Sequence, residues 1–238
     1  MTPEQFLAAA SVDPAVFELR PDYRAGLVVI EGLTPESERR GSSAVANELV
    51  AAAEHHAARL RAECTIEELA HIAAWRETYR AFGAKPQRTQ SSLEALTRRA
   101  EQGLPRINSL TDIYNSISVL HQIPFGGEDF GQYQGPARLI RSVGRETFDT
   151  TVNGQFATAH PEVGEVVWCD DAGVTCRRWN WRQGRRTGLT GDTRAAFFIL
   201  DLLAPVTHLE YDAAVDALTG ALTLLGDDVQ VSRRLIRA

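Results

Sequence analysis

The segment Cys176 to Thr193, CRRWNWRQGRRTGLTGDT, carries the densest set of side chains able to grip a small ligand. Trp179 and Trp181 flank Asn180, and Arg182 and Gln183 follow. Aromatic faces stack on a base or an aromatic amino acid. Asn, Gln and Arg can hold a ribose hydroxyl, an ester carbonyl or a carboxyl derivative. The same composition fits a plain hairpin, with Trp on its core face and Arg on its wet face, and composition alone favours neither. Arg177, Arg178, Arg182, Arg185 and Arg186 fall within ten residues, a cluster able to meet phosphates although the chain carries a net charge of −6. Thr193 closes a Gly-Asp-Thr turn, where Thr is an ordinary N-cap.

A second stretch, Leu104 to Phe130, reads as a polar-studded helix ending in a Pro-Phe-Gly-Gly turn. Ser109 is the expected N-cap, with Asp112 three residues on. Ile113, Ile117 and Leu120 form one apolar face. Asn115 interrupts it, and a buried Asn must find partners, here the backbone of the turn at 123–129, or cost roughly 1–3 kcal/mol. Pro124 stops the helix, and Gly126 with Gly127 can turn bare backbone N–H groups towards a ligand.

Other chemistries find little support. There is no Gly-x-Ser-x-Gly, phosphate loop or dinucleotide fingerprint. Cys169 and Cys176 are separated by six intervening residues across a hairpin with no His pair beside them, and His56, Cys64 and His71 lack ligand spacing, so neither metal nor cofactor is expected. His121 reads as a surface or capping residue, Asp112 and Asn115 as structural, and Glu165 as a solvent-facing strand opener.

The positioning elements are read in chain order. Residues 2–10 form a short helix capped by Thr2, and 25–33 a strand. Residues 35–40 are a helix start or loop, and 43–60 an Ala-rich helix. Thr65 with Glu68 opens a helix to Phe82, with Gly83 as its C-cap. Ser91 with Glu94 opens another to about Gly103. The central helix spans about 109–122. After it come a strand at 137–143, a hairpin of 165–169 and 174–179 about Asp170-Asp171-Ala172-Gly173, and an apolar block at 195–203 that periodicity leaves between strand and helix. A helix at 209–225 and a tail at 229–238, strand or short helix, close the chain.

Helices early and strands late predict an α+β fold, with a central mixed or antiparallel sheet flanked by helices. One domain is expected over 1–238: a helical N-terminal lead-in (1–74), a core (75–205), and a C-terminal helix and tail (206–238). Of the 25 basic residues only Lys85 is not Arg, which reads first as genomic base composition. Three cysteines at uneven spacing, no signal-peptide pattern and no apolar run of about 20 residues point to free thiols in the cytoplasm and to no membrane partner.

The pattern L-P-x-I-N-x-L-x-D-I-Y-N-x-I-S from Leu104, followed by the Ile123-Pro124 turn, resembles the B3/B4 domain. This is the editing and tRNA-binding module of the phenylalanyl-tRNA synthetase beta subunit, and it also occurs as free-standing proteins. Further matches are Trp75-Arg76-x-x-Tyr79-x-x-Phe82-Gly83, Ser91-Ser92-Leu93-Glu94 and Cys176-Arg177-Arg178-Trp179-Asn180, so the likeness runs from about Trp75 to Leu203. It implies a pocket for an aminoacyl-adenosine end. Asn180, Arg182, Gln183 and Thr193 would act on the ester, Thr193 by placing a water or the ribose. Gly126, Gly127, Trp179, Trp181, Ala195 and Asn115 would line the pocket, and Arg177, Arg178, Arg185 and Arg186 would meet phosphate.

Two departures stand out. Gly126 replaces a His of the synthetase, and Arg182 or Gln183 stands near the place of a Glu that reads the tyrosine hydroxyl, so selectivity for tyrosine is not implied. Ester hydrolysis needs little beyond positioning and a few donors. The expected function is a trans-editing aminoacyl-tRNA deacylase whose partner is the charged acceptor end of tRNA, with homo-oligomerisation left open. The alternative is a non-catalytic module binding RNA or an aminoacyl ligand.

Overall fold

The computed structural model describes all residues except Arg40, Gly41 and Asn153, and the side chains of Ser42 and Ser43. In chain order it forms α1 (Pro3–Ala9), β1 (Ser11–Val12), α2 (Pro14–Leu19), β2 (Arg24–Glu31), α3 (Ser42–Glu63), α4 (Ala70–Ala81), α5 (Ser92–Arg99) and α6 (Ser109–His121). Then follow β3 (Phe125–Asp129), β4 (Arg138–Arg141), β5 (Phe148–Val152), β6 (Gln155–Ala159), β7 (Val166–Cys169), β8 (Val174–Arg177), β9 (Arg182–Gln183), β10 (Ala195–Leu202), α7 (His208–Thr223) and β11 (Gln230–Arg237). The fold is α+β, as the sequence predicts.

Two sheets divide the strands. One runs β11-β2-β10-β3, antiparallel throughout; the other runs β1-β4-β7-β8-β5-β6, with β9 paired to β8. The first sheet is covered on both faces, which is why β2 and β10 read as unbroken apolar runs. Val28, Ile30, Phe198 and Leu200 pack on α6 and α7 through Ile113, Ile117, Val215 and Leu218. Leu27, Val29, Phe197 and Ile199 face Leu139, Val166 and Trp168 of the second sheet, Phe6 of α1 and Trp75 of α4. Burial on both faces settles the 195–203 block as strand, and the tail becomes an edge strand beside β2. The Ala-rich α3 brings Val50, Ala53 and Ala57 against Val119 of α6.

Local signals set most helix starts. Thr2 and Thr207 close full capping boxes. The Thr65–Glu68 box heads a single 3-10 turn at Ile66–Glu68, and α4 begins just after it. At α5, Ser91 accepts from the Glu94 N–H, but the Glu94 carboxylate is drawn into ion pairs with Arg76 (2.6 Å) and Arg98 (3.0 Å), so the box is half made. The stretch 35–40 holds a 3-10 turn at Glu36–Glu38; its last residue, Arg40, lies outside the described residues.

Several expectations are corrected. The cap of α6 is Asn108, which accepts from the Thr111 N–H, while Asp112 turns back to the Ile107 N–H and Arg106. Gly126 and Gly127 do not form a turn: they sit within β3, opposite Ile199 and Phe198. The reversal is made earlier, by Gln122 in the left-handed region (φ 53°), followed by Ile123 and Pro124. The residue that ties this corner down is Ser118, donating to the Ile123 carbonyl, not Asn115. Glu165 is buried, holding the Arg177 guanidinium at 2.6 Å, rather than solvent-facing. The hairpin β5–β6, whose second strand is largely exposed, the short helix α2 and the strand β1 carry too little apolar patterning to be legible in the sequence.

Candidate functional site

At the edge of the first sheet, α5, α6, the hairpin β8–β9 and the C-terminal half of β10 enclose a cavity of about 250 Å³. From β3, Gly126 lines it with no atom within 4 Å of where a Cβ would stand. From α6, Tyr114 and Asn115 face it; among the described residues, neither side chain makes a hydrogen bond. From the hairpin come Trp179, Asn180, Trp181 and Gln183, and from the second sheet Trp168 and Cys176.

The hairpin tip is built around strained backbone. Arg178 and Trp179 both adopt positive φ, 48° and 68°, unusual for bulky residues. The Trp179 ring is fully buried and holds the tip in place. It packs edge-on against Tyr23 (4.9 Å) and Trp75 (5.3 Å). The Trp181 ring lies further out, with the Arg178 guanidinium 4.7 Å and the Arg182 guanidinium 5.9 Å from its centre.

Asn180 lines the cavity, but its amide is committed to the protein. Its Oδ1 accepts from the Tyr79 hydroxyl (2.9 Å) and its Nδ2 donates to Asp201 Oδ2 (3.2 Å). Gln183 donates to the Gly127 carbonyl and joins the hairpin to the β3 edge. Gly127 itself is pressed by the Tyr114 ring, 2.7 Å from an ideal Cβ.

The remaining expected residues stand elsewhere. Thr193 accepts from the Thr190 N–H (3.0 Å) and donates to Asp129 (2.7 Å) in a turn that does not line the cavity. Ala195 begins β10 opposite Glu31, also off the wall. Arg182 is exposed and does not line the cavity. The four arginines expected at phosphate all have internal partners. Arg177 pairs with Glu165 and Arg185 with Asp149 (2.8 Å), while Arg186 pairs with Asp170 (2.7 Å); Arg178 donates to Thr89 and lies 3.7 Å from Glu165.

Among the wall residues that the sequence does not point to, two are acidic: Glu128 and Asp201. Glu128 pairs with Phe197, Gly126 with Ile199, and the Asp201 N–H bonds the Pro124 carbonyl. Strand alternation therefore projects Glu128, Gly126, Ile199 and Asp201 from one face. Each acid is about 1% exposed. Burial pushes Asp201 up to about 7, against donation from the Tyr23 hydroxyl (2.6 Å) and Asn180. The Trp168 indole N–H lies nearby without hydrogen-bond geometry, yet close enough to favour the charged form. Burial likewise pushes Glu128 up to about 7, against donation from the Tyr133 hydroxyl to Oε2 and weaker help from Gln183, Thr175 and Thr187. An acid inside the apolar run AAFFILDLL, and one at the inward parity of FGGED, were the signals available in the sequence.

As nucleophiles the wall offers the Ser92 hydroxyl, buried without a hydrogen-bond partner, and Cys176, whose thiol burial pushes well above its ordinary range. Among the described residues no group of three His, Cys, Asp or Glu could hold a metal, and no helix is long and apolar enough to cross a membrane.

The fold and site define an α+β protein with an acidic, aromatic-walled cavity at a sheet edge. The chain belongs to the B3/4 domain family, whose model matches residues 74–217 and so takes in every cavity residue named above. It is also similar to the crystal structure of an N-terminal fragment of the phenylalanyl-tRNA synthetase beta-subunit from Pyrococcus horikoshii. That match has a TM-score of 0.46 and 13% identity, and covers 93% of this chain and 50% of that one. The chain thus spans half the length of that fragment. No curated protein matches it.

Proposed function

We propose that the cavity takes the aminoacyl end of a charged tRNA, and that the protein hydrolyses the ester of a wrongly attached amino acid. The observation that carries this reading is convergence. Asn115, Gly126, Trp179, Asn180, Trp181 and Gln183, from three separate stretches of chain, line one hollow, sized for an amino-acid side chain rather than a nucleotide. Membership of the B3/4 family supports a tRNA-related role. Water would add to the ester carbonyl and the terminal ribose oxygen would leave, giving free amino acid and uncharged tRNA. The protein's part is placement, with Gly126 allowing the ester to approach the β3 backbone and Gln183 fixing that edge. Asn180 serves by holding the wall.

The test is deacylation over a panel of mischarged tRNAs, with Gly126→Val as the comparison. At least one aminoacyl-tRNA should lose its amino acid faster with protein than without, and Gly126→Val, which fills the hollow, should abolish the gain. No hydrolysis of any member by folded protein removes the enzyme. A second reading, a module that binds without turnover, is favoured by the commitment of Asn180 to Tyr79 and Asp201 and by the lack of a nucleophile with an adjacent base. Tight binding of charged tRNA with no hydrolysis would select it.

A further inference from the structure

The cavity wall contains two carboxylic acids and neither Lys, Arg nor His among the described residues. The acids are not paired to each other or to a cation. Asp201 is held by Tyr23 and Asn180, both neutral donors, and Glu128 Oε2 by the Tyr133 hydroxyl. Glu128 Oε1 accepts no well-formed hydrogen bond among the described residues, with Gln183, Thr175 and Thr187 close by but not in bonding geometry, although the residue is about 1% exposed. A second, independent feature points the same way. Asn115, 8% exposed, lines the same hollow with no partner for its amide. Trp168, Trp179, Trp181, Tyr114 and Phe125 supply ring surface around them. Buried acid without a cation, set among aromatic rings, is the arrangement that favours a ligand cation.

We propose that this cavity is a receptor for a primary ammonium group, with Glu128 as its counter-ion and the Asn115 amide oxygen as a further acceptor. The proposal rests on the cavity being the ligand site, but not on RNA or on hydrolysis. The ammonium has two possible sources in an aminoacyl ester: the α-ammonium, present in every one, or the end of a basic side chain. Asp201, tied on both oxygens by Tyr23 and Asn180, does not take the ligand itself. A proton arriving with an amine at neutral pH stays on the amine, because ion-pairing draws Glu128 to its charged form.

Three small probes separate the sources by calorimetry: L-phenylalaninamide, Nα-acetyl-L-lysinamide and N-acetyl-L-phenylalaninamide. At least one of the first two should bind about tenfold more tightly than the third, which has no ammonium, a ratio matching the strength of a charge-assisted hydrogen bond. Preference for the first assigns the α-ammonium; preference for the second assigns a basic side chain. Glu128→Gln, which keeps the shape, should erase the advantage, and Gly126→Val should block all three probes should the first variant fail to fold. Equal binding of the acetylated neutral probe, or no binding of either amine at millimolar concentration, overturns the proposal. Amine binding without deacylation leaves it standing while the enzyme falls; deacylation without ammonium preference sinks it alone.

Discussion

Glu128 and Asp201 carry opposite consequences for binding and for stability. Each has a folded-state pKa of about 7, above the ordinary carboxylate value, and burial is the first cause of both shifts. Folding therefore favours the protonated form. The stabilisation is fully present below the unfolded value and is lost as pH rises through about 7. Glu128→Gln removes one such group while keeping most of its contacts. The variant should gain on the wild type as pH rises from about 5 to 8, by an amount on the order of 1–3 kcal/mol. Urea unfolding midpoints of both proteins at the two pH values read this directly, and a difference that does not change with pH would contradict it. The sequence hid these acids because pattern reading assigns an acid to water by default. Asp201 sits in an apolar run as its lone charge, and that anomaly was the visible trace of a site. Asn180 was visible, yet its task was not: an amide's partners, Tyr79 from α4 and Asp201 from β10, lie 101 and 21 residues away.

Strand β3 shows how one element can hold both a cavity wall and a packing surface. Adjacent residues of a strand face opposite sides. Gly126 opens to the cavity, with no atom within 4 Å of an added Cβ, while Gly127 meets Tyr114 Cε1 at 2.7 Å and Leu189 Cδ1 at 3.0 Å. Neither has positive φ, so the difference is one of space alone. Gly126→Val should leave the melting temperature near that of the wild type and abolish ligand binding. Gly127→Val should destabilise by about 1–3 kcal/mol through overpacking against α6. Melting curves with a cavity ligand as probe separate the two, and equal destabilisation by both would mean that Gly126 is not an open wall. In the sequence, the Gly pair after Pro124 reads as a turn, because glycine marks turns more often than strands. The turn was already complete at Gln122, where a left-handed residue needs no glycine in the chain. Helix starts were more legible, since Thr2, Thr65, Ser91 and Thr207 make their bonds within three residues. Where tertiary partners compete, as Arg76 does for Glu94, the local pattern fails in part.

At the scale of the molecule, chain order conceals the sheet. The expected lead-in supplies β2, which lies between β11 from the tail and β10 from the core segment, so both ends of the chain build the layer that carries the cavity. Charge shows the same concealment. Five arginines within ten residues look like a phosphate surface, but Arg177, Arg185 and Arg186 neutralise Glu165, Asp149 and Asp170, and Arg178 leans on Glu165. Releasing such a side chain to a phosphate leaves its acid behind, and for Glu165 and Asp170 that acid is buried. Lys85, Arg88 and Arg182 are exposed without an acidic partner among the described residues, and the 85–91 loop and the first residue of α5 reach the hairpin, through Arg178 to Thr89 and through the Ser92 N–H to the Asn180 carbonyl. Four free arginines on RNA would give a slope of roughly −3 to −4 for log K against log salt, at nearly one unit per contact. The paired arrangement predicts a shallower slope for tRNA, about −1 to −2, on an acidic protein whose long-range field opposes approach. Arg182→Ala should flatten it by nearly one further unit, whereas Arg186→Ala should cost stability and leave the slope in place. Filter binding across a salt series measures both. A slope of about −3 or steeper, reduced by Arg186→Ala, would mean that the arginines exchange their carboxylates for phosphates on binding, and that the ion pairs seen here are the resting state of the RNA surface.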